Sequence, residues 1–306
     1  MIRSNPEGLW SDFLLSFARK SMSVFFKKII NRIRRSSLAR RIPLEEDSAS
    51  AFGVEPWAEA SVYRKLYEAA VQKEYPEIEG FEDRAGYAID ISWLNELAFR
   101  TQVVIKEEPL NWQHGRLIYS ALREQIRDFS VDSSMSAPFH WMILETGTAR
   151  GFSACCMAKA LNDAKIDGTI LTCDVLPHEK PMIWNCVEDH NGPQSRAGIL
   201  HRWPQEVARM IFFRGSTSEH LHRFGVDRIP FAFLDAFHDK KSVLGEFMFV
   251  ESRQMKGDRI VFDDVTPGVF DEVVEAVKII ESDFPYKMEW IKSSQERGYA
   301  VAKRIS

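Results

Sequence analysis

The chain has 306 residues, 45% hydrophobic and 27% charged, enough to bury the core of one large domain with additions. Its net charge of −4 is uneven: residues 1–41 carry ten Lys/Arg against two acids, a balance of +8, so the remainder carries −12, which argues against nucleic acid as a substrate of the catalytic part. No apolar run approaches the roughly 18 residues of a membrane span, no secretory signal is evident, and Cys155, Cys156, Cys173 and Cys186 follow no metal spacing, so buried thiols in a reducing compartment are expected.

Residues 10–41 come first. Trp10, Phe13, Leu14, Phe17, Met22, Phe25, Phe26, Ile29, Ile30 and Ile33 recur at roughly helical spacing, interleaved with Lys20, Lys27, Lys28, Arg32, Arg34 and Arg35. Three readings are open: an interfacial helix on an anionic membrane, an N-terminal targeting peptide, or a helix packed on the domain or on a partner subunit of a homo-oligomer. The first would make a cytoplasmic protein peripheral at the inner membrane face. Residues 42–56 read as a linker. An amphipathic helix is expected over 57–73, a second over 91–104 and a third over 113–129, covering one edge of a sheet and the mouth of its site. This divides the chain into a basic segment (1–45), a helical extension or cap (46–135) and a catalytic domain (136–306).

From residue 141 the pattern changes. The apolar run Trp141–Leu144 reads as a buried strand, followed by Glu145, the glycine turn Gly147-Thr148-Ala149-Arg150-Gly151, and a helix from Ser153 to Leu161. Glycines 147 and 151 allow a sharp turn and close approach of a ligand, and the helix start offers unpaired N–H groups. Further strands are expected at 169–174, 210–216, 229–235 and 259–264, several ending in polar residues: Asp174, Asp235, and Asp263 with Asp264. Apolar strands alternating with helices give a doubly wound, Rossmann-like α/β sheet, mostly parallel. Lys287–Ile291 and Tyr299–Lys303, separated by Gly298, suit a closing antiparallel hairpin. The 37 positions from Asp174 to Ile211 are long for one crossover. They contain Trp184, His190, His201 and Trp203, as a cap over an acceptor or as a surface helix pair packed on the sheet.

The spacing E-x-G-x-x-x-G at 145–151 differs from the dinucleotide fingerprint and disfavours a dehydrogenase. It resembles motif I of the class I S-adenosylmethionine-dependent methyltransferases. Together with D-x-x-H at 235–238 and D-D at 263–264, it resembles the bacterial small-molecule O-methyltransferases, including macrocin-type sugar O-methyltransferases, over roughly residues 110–306. The resemblance implies that Glu145, Gly147, Thr148, Gly151, Ser153, Asp174, Gly215, Ser216 and Asp235 hold S-adenosylmethionine, with Asp174 accepting from the ribose hydroxyls. It implies that Asp235, Asp263 and Asp264 bind a divalent metal, Mg2+ being the first expectation, and that His238 is a general base. Two departures stand out: Ala149 replaces a frequent middle glycine, and Gly215-Ser216 lacks the acid often found after the third strand.

The expected activity is methyl transfer to a hydroxyl of a small molecule, with a sugar as one acceptor class. An alcohol is too weak an acid to ionise alone, and a bound divalent ion lowers its pKa. Alternatives are a metal-independent methyltransferase, in which Asp263 or Asp264 caps the following turn, and a non-catalytic relative acting in membrane-surface assembly.

Overall fold

The computed structural model describes residues 51–106, 108–131, 140–294 and 297–306, so the basic segment 10–41 lies outside the described residues. Four helices precede the sheet: α1 (Ala60–Val71), α2 (Pro76–Ala85), α3 (Ile91–Thr101) and α4 (His114–Val131). Three match the expected amphipathic stretches. The fourth, α2, begins with Pro at its first turn and stops at Gly86, whose φ of 78° suits a left-handed cap. Asp90 caps α3 by accepting from the Trp93 N–H at 3.0 Å.

The strands are β1 (Trp141–Thr146), β2 (Gly168–Asp174), β3 (Met210–Arg214), β4 (Phe231–Leu234), β5 (Arg259–Phe262), β6 (Tyr286–Lys292) and β7 (Gly298–Arg304). Their order is β3-β2-β1-β4-β5-β7-β6, with β7 antiparallel to β5 and β6 and the remaining pairs parallel. This is the expected Rossmann-like sheet with its C-terminal hairpin. Strands β4 and β5 are buried at every residue, which is why Phe231–Leu234 and, after Arg259, Ile260–Phe262 read as apolar runs.

Helix α5 (Phe152–Ala164) follows β1 and is buried nearly all round, through Phe152 to Ala158, Ala160 and Leu161. Its small residues let it sit between the sheet and α4. Residues of α1–α5, β1 and β4 belong to one hydrophobic cluster, and a second cluster fills the other face with α9 (Lys240–Glu251) and α10 (Asp271–Asp283). All four cysteines are buried free thiols, as expected.

The long crossover between β2 and β3 is an insertion with two short helices, α6 (Arg196–Ile199) and α7 (Pro204–Val207). Met182 and Gln194 form a two-residue bridge, and Trp184, fully buried, donates its indole N–H to the Gln194 carbonyl at 2.7 Å. Met182, Trp184, Cys186 and Ile199 make a small core of their own, whereas Trp203 joins the main cluster. His190 and His201 are exposed.

Candidate functional site

The chain runs from β1 to β2 and β3 on one side, then returns to β4 on the other side of β1. The crevice at the C-terminal ends of β1 and β4 is therefore the switch point of the sheet, where doubly wound folds bind ligands. Strand register then decides what faces it. Asp174 is paired with Arg214, and the backbone bonds Gly147 N–H to Cys173 O (2.9 Å), Asp235 N–H to Thr146 O (3.0 Å) and Asp263 N–H to Leu234 O (3.2 Å) carry the ladder one residue beyond the strands. Asp174, Gly147, Asp235 and Asp263 thus form one row across β2, β1, β4 and β5. Strand register sets this row: β2, β4 and β5 bring an aspartate to it and β1 brings the first glycine of the loop.

The glycine loop is fixed by close approach. Gly147 has φ 88°, and a Cβ there would collide with the Asp235 backbone carbonyl. Gly147→Ala should therefore cost about 2–3 kcal/mol from strain and overpacking together, read as a lowered urea midpoint. Loss of ligand binding in that variant would report the crossing of β1 and β4, not a ligand contact. Gly151 also has φ 88°, where a Cβ would meet the Leu200 side chain. Ala149 takes φ 45° without being glycine. The departure from the usual glycine therefore leaves the left-handed turn in place, at the strain a Cβ brings there.

The acids of the loop are already engaged. Glu145 is fully buried inside β1, and its carboxylate accepts from the Ser153 and Thr172 hydroxyls, with Thr148 Oγ1 2.5 Å from Thr172 Oγ1. Burial outweighs these bonds and pushes its pKa up to about 7. Glu145 therefore braces β1, α5 and β2 from below the loop. Asp174 accepts from the N–H groups of Ala149 (2.5 Å) and Leu176 (2.7 Å) and faces Arg196 at 3.4 Å. Gly215 donates its N–H to the Asp174 carbonyl at 2.8 Å, and Ser216 N-caps the short helix α8 (Thr217–His220), its hydroxyl 2.8 Å from that of Ser218.

Across the switch point lies the acid–histidine cluster. His238 Nε2 is 3.0 Å from Asp264 Oδ2 and 3.8 Å from Asp235 Oδ1, and ligand atoms of the three residues lie within 4.8 Å of one another. The Phe270 ring packs on the imidazole, centroids 4.8 Å apart. Burial would lower the His238 pKa, but hydrogen bonds with Asp235 and Asp264 outweigh it and raise it to about 10. The ring therefore carries its proton at neutral pH in the ligand-free cluster.

The three expected aspartates are neighbours, but Asp263 does not offer its carboxylate to the point where Asp235, Asp264 and His238 converge. Asp263 has a fully buried side chain and turns to the Arg297 guanidinium, its Oδ1 accepting from the Asp264 N–H at 2.7 Å. Arg297 Nη1 also lies 3.2 Å from Asp264 Oδ1. His238 takes the place expected of Asp263, because consecutive residues leave a strand end in different directions and Asp264 has φ 56°.

Three residues of this site escaped the sequence reading. Arg297, before β7, and Arg196, in the insertion, carry no local pattern. Glu246 does carry one: it shares a stripe with Val243, Phe247 and Val250 on α9, and it is buried beneath Asp235 and His238. It accepts from Thr146 Oγ1 (2.7 Å) and Thr217 Oγ1 (2.5 Å), and burial pushes its pKa up to about 7.

Residues 144–265 match a family model described as a methyltransferase domain. No curated protein sequence matches the chain. Among solved structures, cofactor-bound Rv0187 from MTB is similar at 17% identity, covering 77% of this chain and 100% of its own, with a TM-score of 0.49. The O-methyltransferase TomG from Streptomyces achromogenes, involved in tomaymycin synthesis and in complex with SAM, is 16% identical over 72% of this chain and 92% of its own, TM-score 0.46. An O-methyltransferase from Bacillus cereus in complex with SAH is 13% identical over 80% and 97%, TM-score 0.44. At such values these likenesses assign no substrate and no residue role. The family match falls on the glycine loop, β2, β4 and the Asp263–Asp264 pair, the segment that builds the row at the switch point. Residues 144–265, the stretch that matches the methyltransferase-domain model, thus lie within a seven-stranded, mostly parallel sheet and carry the row at its switch point.

Proposed function

We propose that this methyltransferase moves a methyl group from S-adenosylmethionine to a hydroxyl of a small molecule, sugars being the first class to test. One observation carries the reading: the glycine loop and Asp174 lie on one side of the switch point, and Asp235, His238 and Asp264 lie on the other, along a single edge of the sheet. A cofactor held by the first group would face an acceptor held by the second.

The donor set of Asp235, Asp264 and His238 fits a divalent cation, two carboxylates suiting Mg2+ or Mn2+ and the imidazole adding affinity for softer ions. Such an ion, when bound, lowers the pKa of an alcohol. The chain's own residues do the rest. Asp235 and Asp264 orient the His238 ring, Phe270 packs on it, and the half-exposed ring, after releasing its resting proton to solvent, takes the proton of the hydroxyl. Arg297 favours a second, metal-independent reading. With His238 it supplies two positive charges to the three carboxylates of the cluster, so a fixed cation already occupies part of the place of a metal.

Calorimetry with S-adenosylhomocysteine tests the cofactor, and absence of binding to the folded protein would overturn that part. Assays against hydroxylated small molecules before and after chelator treatment test the metal. Loss of transfer, restored by Mg2+ or Mn2+, is expected; an unchanged rate selects the metal-independent reading.

A further inference from the structure

Resting on the cofactor reading above, we propose that Arg196 is a cofactor-site residue. It holds Ala149 beside Asp174 and offers Nη2, which faces Asp174 without a hydrogen bond among the described residues, to a ribose hydroxyl that donates to Asp174. The insertion between β2 and β3 then serves the cofactor, not only the acceptor.

Arg196 is 2% exposed, and a buried guanidinium is costly unless its donors are met. Nε donates to the Ala149 carbonyl at 2.7 Å, and Nη1 lies 3.5 Å from the Leu176 carbonyl. Nη2 is 3.4 Å from Asp174 Oδ2 yet has no hydrogen-bond partner among the described residues. The cation sits near the Trp184 and Phe212 rings, 5.5 and 5.9 Å from their centroids. The bonds to Ala149 and Leu176 account for Nε and Nη1 but leave Nη2 without an acceptor, so holding the loop does not by itself account for the whole fork.

The pair holds Ala149 from both sides. The Ala149 N–H donates to Asp174 and its carbonyl accepts from Arg196, which fixes a non-glycine residue at φ 45°. The neighbouring Arg150 returns the contact, its Nε donating to the Trp184 carbonyl at 2.8 Å. Loop and insertion are thus tied by reciprocal arginines. Arg196 also opposes the effect of burial on Asp174, favouring the charged form that accepts hydroxyl protons. A ribose hydroxyl donating to Asp174 would accept from Nη2 at the same moment, giving that nitrogen an acceptor.

The test is calorimetry of S-adenosylhomocysteine and its 2′-deoxy and 3′-deoxy analogues with wild type, Arg196→Met and Arg196→Lys, with folding checked by circular dichroism. The wild type should prefer the diol. Arg196→Met should weaken S-adenosylhomocysteine binding at least ~10-fold, the size expected for a charged hydrogen bond, and lose most of that preference. Arg196→Lys, with its charge but not its fork, should recover part of the affinity. A folded Met variant with wild-type affinity and preference would overturn the inference, as would equal losses for diol and deoxy ligands, the mark of a scaffold. If the Met variant does not fold, an unchanged diol preference in the Lys variant overturns it and a reduced one supports it. Failure of the wild type to bind any of the three ligands would instead overturn the cofactor reading, and this inference with it.

Discussion

Replacing Arg297 with methionine is expected to cost about 3–5 kcal/mol of folding stability, the range seen when one partner of a buried ion pair is removed. Its guanidinium faces Asp263, whose side chain is fully buried, and reaches Asp264 at 3.2 Å. The Asp263 carboxylate also accepts from the Asp264 N–H at 2.7 Å. Burial pushes Asp263 well above its ordinary pKa, with Arg297 the largest force the other way. Without the arginine, Asp263 is left charged and unpaired, or must bind a proton. Asp263→Asn in the same chain should restore most of the loss, because the amide oxygen can still accept from the Asp264 N–H. Urea denaturation at pH 7 of the two single variants and the double variant measures the coupling. A loss below about 1 kcal/mol for Arg297→Met would show that Asp263 does not depend on this cation.

That pair also shows where the sequence stopped being legible. The central strands could be read because parallel strands covered on both faces are mostly apolar, and β2, β4 and β5 end in or run into an aspartate where the chain meets the crevice. Phe231–Leu234 followed by Asp235, and Arg259–Phe262 followed by Asp263, announced the same edge of the sheet. The direction of each carboxylate was not legible. Asp263 and Asp264 are neighbours in sequence, yet one turns to Arg297 and the other to His238 as well, and nothing local marks Arg297 as the partner. Helix α2 was missed because its sequence PEIEGFEDRA is polar and interrupted by Gly80, although Pro76 and Gly86 mark both ends. Trp184 was noticed as an aromatic of the insertion, but its burial depends on a bridge between residues 182 and 194 that no periodicity foretells.

His238→Ala should slow methyl transfer by roughly 100- to 10,000-fold, the range for loss of a general acid–base group, while leaving S-adenosylhomocysteine affinity nearly unchanged. The separation follows from the geometry: Asp174 and the glycine loop lie on β1 and β2, whereas His238 follows β4 and contacts Asp235 and Asp264. Its side chain is 46% exposed, so the fold should tolerate the change. Release of S-adenosylhomocysteine, followed with the acceptor that turns over fastest in wild type, measures the rate. The role of the ring is decided by metal titration of the same variant. A base leaves divalent-ion affinity intact and takes the rate with it, because Asp235 and Asp264 remain to hold the ion. A ligand loses affinity and rate together, and excess metal then restores part of the activity. Full activity in the folded variant would remove His238 from the chemistry and leave Asp235 and Asp264 as the carboxylate acceptors of the cluster.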